Sequence, residues 1–463
     1  MPEILTFLLP DGDGQSRGLG RAAVELGLRL GLPFRVVRNA AAMRSDGWAV
    51  ACPGAVLPEG ARGVTLAPGA GPSTSVTVAG RVLYGPQAAS GVDVVTGTAR
   101  LLAFEAEAGA PRDAMGRVSA ATHPLALDGL LLDPLIENAA AHLMDLLEAA
   151  GHSREGVEPP FAGRRAVVLS HDTDGPRLHD AFQLARAAAL APRNARERSA
   201  LATGLGTLLR GRPDPYWNFD GWRALAEKAG GRNTFYVYPG PVPGLARHPR
   251  DPHYDPRKGP YPAALRRLVD AGCEVGLHYG IGTDDTGHFE AERAQLSDLT
   301  GQAPIGGRAH YWRIDWSDPH AAWDRMAAAG LGYDASLSPM TLGYRTGTML
   351  PVLGGAIDPS GPPETPFLVL PSPVMDAYIE PGHPGGPGPA QADRLVANAV
   401  GGGLVVLNWH VRTLTDVGPW QGFGREARRI MGAIAEDSES VLMTGAEVAE
   451  AWRARITSLW RPA

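Results

Sequence analysis

From residue 164 onward, short apolar runs recur with amphipathic helical stretches between them. This alternation constrains the fold more than any other feature of the chain. The runs are "AVVLSHD", "NTFYVYPG", "CEVGLHYG", "LGYDAS", "FLVLPSPVMD" and "LVVLNWH". Helical segments between them include "PAALRRLVDAG", "FEAERAQLSDLTG" and "HAAWDRMAAAG", each closing at glycine, as helices often do. A chain that alternates in this way builds a parallel sheet with helical crossovers, open or closed into a barrel. In either architecture functional residues collect at the carboxyl ends of the strands. The polar residues that end each run are therefore the ones to read.

At 463 residues the chain exceeds one typical core, and the reading predicts two domains. Residues 1–160 form a smaller α/β N-terminal accessory domain, and residues 161–463 carry the β/α alternation. In the first part "GLGRAAVELGLRLG" has helical period, while "FRVVRN", "SVTVAG" and "RVLYG" read as strands. "DPLIENAAAHLMDLLEAAGH" is an amphipathic helix with Leu135, Leu143, Leu146 and Leu147 on its apolar side, and His152 stands at its end as a cap. "SREGVEPPFAGRR" reads as the linker. The formal net charge of −6, with both signs mixed along the chain, excludes a basic nucleic-acid surface. Cys52 and Cys273 lie far apart and supply neither a disulfide framework nor a thiolate metal site. No apolar run approaches the roughly 20 residues of a membrane span. "MPEILTFLLPDGDG" lacks a basic n-region, so a cytoplasmic location is expected. The Ala-rich, Arg-over-Lys composition fits a high-GC bacterial coding sequence.

Four strand ends carry chemistry-capable side chains. In "VVLSHDTDGP", Val167–Leu169 read as a buried strand, bounded by the turn at Gly175-Pro176. Extended geometry would point Asp172 and Asp174 to one side, where like charges repel. A metal ion would compensate them; an Asp-rich turn bonding nearby amides is the other reading. "EVGLH" delivers His278, "GGRAHYWR" carries Arg308, His310 and Arg313, and "LVVLNWH" delivers His410. A lone histidine is more often structural than catalytic. Two histidines and an aspartate pair at successive strand ends form the set that metal-assisted hydrolysis needs: mixed N/O ligands, a spare carboxylate base and a separate imidazole acid.

"SHDTDGP", "EVGLH", "RAHYWR", "YDASL" and "LNWH", in this order, resemble the polysaccharide deacetylase (NodB-homology, carbohydrate esterase family 4-like) superfamily. The similarity is to a branch with an HDxD first motif and an RxHY segment. The stretch from Asp93 to Leu135 resembles the amino-terminal region of that branch. The resemblance implies a distorted (β/α) barrel that removes acetyl groups from N-acetylated sugars or glycan precursors with a divalent metal such as zinc. It also implies roles. Asp172 is the base and Arg308 orients it; Asp174 and His278 bind the metal; Asp334 tunes the acid histidine and His410 protonates the leaving amine.

The chain departs from the family pattern twice. Thr173 separates two aspartates that are usually adjacent, so register alone could place the base at Thr173; Asp172 is preferred because a carboxylate titrates usefully. Gly282 stands where a second metal histidine usually lies. Since catalytic zinc sites use three protein ligands, His310 is expected to be the third, with His288 as its rival. Trp312, Trp316, Tyr344, Trp409 and Trp420 could stack on a sugar or fill the core. Arg345 could hold an anion or brace a loop, and Asp284-Asp285 read as a solvated turn. His383 reads as a bystander, and "ARERSALATGLGTLLRG" as a helix covering the barrel mouth. Two competing functions remain: an Asp-x-Asp glycosyltransferase binding a metal-diphosphate, and an inactive carbohydrate-binding homologue.

Overall fold

The computed structural model describes residues 3–11, 16–43, 47–89, 91–379 and 388–463. His383 lies outside the described residues. Strands β1 (Leu5–Leu8), β2 (Phe34–Val37), β3 (Trp48–Ala51) and β4 (Arg62–Thr65) form a parallel sheet in the order β2-β1-β3-β4. An antiparallel ribbon of β5 (Ala70–Val78), β6 (Arg81–Ala88) and β7 (Gly91–Val92) follows. Helices Ser16–Leu30 and Leu135–Ala149 pack together beside the parallel sheet. The second buries Leu135, Leu143 and Leu147, but leaves Leu146 partly exposed.

The larger sheet runs through β8 (Arg165–Asp172), β9 (Thr234–Val237), β10 (Glu274–Tyr279), β11 (Gly306–Ala309), β12 (Tyr333–Leu337), β13 (Val352–Leu353), β14 (Leu368–Pro371), β15 (Val374–Met375), β16 (Leu404–Asn408) and β17 (Ser440–Leu442). Its order is β13-β14-β12-β11-β10-β9-β8-β16-β15, and β17 pairs with the start of β8. All pairings are parallel except β13 with β14. β14 pairs with β12 and β15 pairs with β16, yet only Ser372 and Pro373 separate them. One extended segment thus joins the last strand of the path to the strand next to its other end, so the sheet must curl back on itself. Strands such as β8 are buried on both faces, which is why they read as continuous apolar runs rather than alternating ones.

One hydrophobic core runs through both parts of the chain, from Phe7 and Phe34 to Trp460, which stacks on Phe34 at 6.3 Å. A buried hydrogen bond and a buried ion pair also cross between them. Arg29 pairs with Glu137 (2.8 Å) and donates to Thr348 Oγ1; Arg345 pairs with Glu107 (2.6 Å). No helix among the described residues is long and apolar enough to cross a membrane.

Candidate active site

Strand β8 ends at Asp172, whose two carboxylate oxygens are both engaged. Arg308 Nη1 donates to Oδ1 at 3.0 Å, and Asn408 Nδ2 donates to Oδ2 at 2.9 Å. Arg308 is itself fully buried and fixed. It donates to Ser170 Oγ, Ala335 O and Ser372 Oγ, and its guanidinium lies 4.3 Å from the Tyr236 ring centroid. Burial pushes the Asp172 carboxyl up, but Arg308, with His278 and His410, outweighs it and holds the group below its ordinary value. Thr173, the other position that register allows for a base, is occupied with the Tyr254 hydroxyl at 2.5 Å. His171 bonds Trp409 O and Asn233 Nδ2 and is a core residue.

Asp174 faces three imidazoles. Its Oδ1 is 3.3 Å from His278 Nε2; its Oδ2 is 3.3 Å from His310 Nε2 and 3.5 Å from His410 Nε2. The far nitrogen of each ring is held. His278 Nδ1 meets Arg308 O at 3.0 Å, and His310 Nδ1 meets Asp251 Oδ1 at 3.2 Å. Such partners fix ring orientation and present Nε2 inward, as in metal sites where a ligand histidine is held from behind. Asp251 is in turn held by the backbone N–H groups of Ile281 and His248. Burial opposes charge on His310, but Asp174 and Asp251 raise it to about 9.

The donor set fits a divalent ion. Ligand atoms of Asp174, His278 and His310 all lie within 4.8 Å of one another. On a tetrahedron around zinc, with bonds of about 2.0–2.1 Å, ligand atoms stand roughly 3.3 Å apart. Asp174 Oδ1 and His278 Nε2 are buried and have no hydrogen-bond partner despite their 3.3 Å approach. Orphaned buried acceptors of this kind are costly unless something not in the protein chain satisfies them. Asp284, Asp285 and His288 also cluster, but on the surface, where His288 pairs with both aspartates.

His410 is backed by Asp376, which sequence reading quoted at the end of "FLVLPSPVMD" without assigning it a role. Asp376 accepts from His410 Nδ1 (3.0 Å), His410 N (2.9 Å) and Thr413 Oγ1 (2.8 Å). Burial opposes charge on His410, but Asp376 and Asp174 raise it to about 10. Asp334 does not fill the tuning role implied by the resemblance. Its carboxylate accepts from Tyr279 Oη, Ser336 Oγ, Ser336 N and Trp323 Nε1. Asp334 is the second residue of β12, and Tyr279 follows His278 on β10, so alternation puts this cluster on the opposite face of the sheet. Asp251, Asp376 and Asn408 are the site residues that sequence reading missed.

A cleft of about 580 Å³ opens at Asp174 and His310. Helices Ala181–Leu190 and Ala195–Leu209 border it, with Phe182, Arg186 and Arg196 among the lining residues. Of the five aromatics singled out from sequence, Trp420 lines this cleft; Trp312, Trp316, Tyr344 and Trp409 are buried. Arg345 braces the interior rather than facing a ligand: it pairs with Glu107 and lies 3.4 Å from the Trp316 ring centroid.

No protein-family model matches the chain, and no curated protein matches it by sequence. Solved structures to which it is similar include a Mycobacterium smegmatis protein described as a polysaccharide deacetylase, at 18% identity and a TM-score of 0.41, covering 65% of this chain and 94% of that chain. Puue allantoinase gives 16%, 0.39, 65% and 95% for the same quantities. A Pseudomonas aeruginosa PAO1 protein, also described as a polysaccharide deacetylase, gives 16%, 0.40, 65% and 96%. Likeness of this degree does not decide chemistry, which lies in the side chains.

Proposed function

We propose that the chain is a metal-dependent deacetylase of the polysaccharide deacetylase superfamily, hydrolysing an N-acetyl amide on a sugar or glycan precursor. Its barrel would be the distorted (β/α) type of that superfamily, and zinc the metal. One observation carries the reading. Asp174, His278 and His310 converge on one point, with an ionised carboxylate on an arginine to one side and a carboxylate-backed histidine to the other.

Asp174, His278 and His310 would hold the ion. When bound, it lowers the pKa of water from about 15.7 towards about 7 and polarises the amide carbonyl. Asp172 stays ionised beside Arg308 and accepts the proton of the attacking water. Asn408 keeps the carboxylate from turning away. His410 is protonated at neutral pH, with Asp376 holding Nδ1–H, and its Nε2 proton passes to the amide nitrogen as the C–N bond breaks. Acetate and a free amine result. The Asp-x-Asp glycosyltransferase reading gives no role to His278, His310 and His410, which all face Asp174.

The test is acetate release from a panel of N-acetylated sugars by protein of known metal content. Release that depends on one bound ion per chain supports the reading. Metal-loaded protein that binds glycans but frees no acetate from any of them would make it a binding homologue instead.

A further inference from the structure

We infer that the substrate carries a negative charge, a phosphate or a carboxylate, close to its acetylated sugar, held by Arg250 and Arg412 beside Trp420. The inference rests on the deacetylase reading for where the reacting sugar lies, but its evidence is the charge of the cleft. Four arginines line that cleft: Arg186, Arg196, Arg250 and Arg412. The carboxylates that line it are Asp174, Glu197 and Asp251, and each is engaged. Glu197 pairs with Arg186 at 3.0 Å, Asp251 holds His310, and Asp174 faces three histidines. Among the described residues, Arg250 and Arg412 have no carboxylate within ion-pair distance. A divalent ion on Asp174 would add further positive charge. The cleft therefore runs against the chain's net charge of −6.

Two of the guanidiniums are also placed. Arg412 donates to the backbone carbonyl of Asp174 and lies 5.1 Å from the Trp420 ring centroid; Arg196 lies 4.9 Å from the same ring. An indole so covered orients cations more than it offers a bare face to a neutral sugar. Arg412 follows His410 by two residues, so the charge it would meet lies within about one sugar of the reacting amide. A planar guanidinium has two parallel donors that match the paired oxygens of phosphate or carboxylate, and neutral hydroxyls need no such group.

The experiment compares kcat/KM for acetate release from N-acetylglucosamine, N-acetylglucosamine 1-phosphate and N-acetylglucosaminuronic acid, and calorimetric binding of glucosamine 1-phosphate to zinc-loaded protein. One charged sugar should be preferred over the neutral one by about tenfold or more, and whichever it is identifies the anion. Arg250→Gln and Arg412→Gln should each shrink that ratio, and rising ionic strength should shrink it too. Arg250 is exposed, so its variant tests the idea without threatening the fold. Equal turnover of charged and neutral sugars would overturn the inference and leave the deacetylase reading standing, as would a preference that both variants preserve. Phosphate-sugar binding that needs Arg250, with no acetate released from any sugar, would support the inference and defeat the deacetylase reading.

Discussion

His310 touches a carboxylate through each ring nitrogen, Asp174 at Nε2 and Asp251 at Nδ1, and so carries a proton in the metal-free protein, with its pKa raised to about 9. A metal needs the neutral ring, so binding must expel that proton. Metal affinity should climb with pH up to about 9, and uptake at pH 7 should release protons, seen as buffer-dependent heats in calorimetry. Heats independent of the buffer would exclude His310 as a protonated ligand. The two aspartates of the first motif should separate. Asp174→Ala should lose metal, whereas Asp172→Asn should keep it and lose about 10²–10⁴-fold in kcat. In the proposed mechanism His410 works in its charged form, so activity should fall as pH rises through its pKa. Asp376 raises that pKa, and a cation on Asp174 would set it below the metal-free value of about 10. Asp376→Asn removes the carboxylate that raises it, and this falling limb should move to lower pH with metal content unchanged. An unmoved limb would sever Asp376 from the proton donor.

The turn after β11 decides whether His310 reaches the site at all. Tyr311 and Trp312 both adopt left-handed backbone, φ 59° and 55°, which non-glycine residues rarely do. Strand alternation alone would have sent Arg308 and His310 to one face, but the strand stops at Ala309 and the turn aims the imidazole. Arg117, from the N-terminal part, donates to Tyr311 O at 2.9 Å and lies 5.6 Å from its ring centroid. Arg117→Ala should weaken zinc binding about fivefold, the worth of one hydrogen bond, without unfolding the protein. Unchanged affinity in a chelator competition would show the turn holds itself. Sequence made the strand ends legible because doubly buried parallel strands read as apolar runs that stop where chemistry begins. The partner of His410 was not legible: Asp334 and Asp376 both accompany apolar runs, and only the curl of the sheet puts β15 beside β16. Asp251 sits in "HPRDPHYD", a loop with no period to read.

Across the whole molecule, a buried ion pair ties the N-terminal part, proposed as an accessory domain of residues 1–160, to the part that carries the larger sheet. Glu107 bonds Arg345 twice, at 2.8 and 2.6 Å, and accepts from His123 at 3.2 Å. Arg345→Ala would leave the Glu107 charge buried without its guanidinium partner, and breaking a buried pair in this way typically costs about 3–5 kcal/mol. Thermal melts should show that loss, and Glu107→Ala with Arg345→Met should recover part of it. Burial raises the Glu107 pKa, but Arg345 outweighs it and brings the group from 4.5 to about 2. A depressed carboxylate stabilises the fold above its unfolded pKa, so this contribution is full above about pH 4.5 and fades as pH falls towards about 2. A double variant with the same acid sensitivity as the parent would assign that sensitivity elsewhere.

The central claim is a single metal centre built from Asp174, His278 and His310. Anomalous diffraction at the zinc edge, on crystals grown with one equivalent of zinc, tests it directly. One peak is expected, with His278 Nε2 and His310 Nε2 about 2.0–2.1 Å away and an Asp174 oxygen about 2.0–2.2 Å away. A peak at Asp284, Asp285 and His288 instead, or His310 turned away from the ion, would contradict the account.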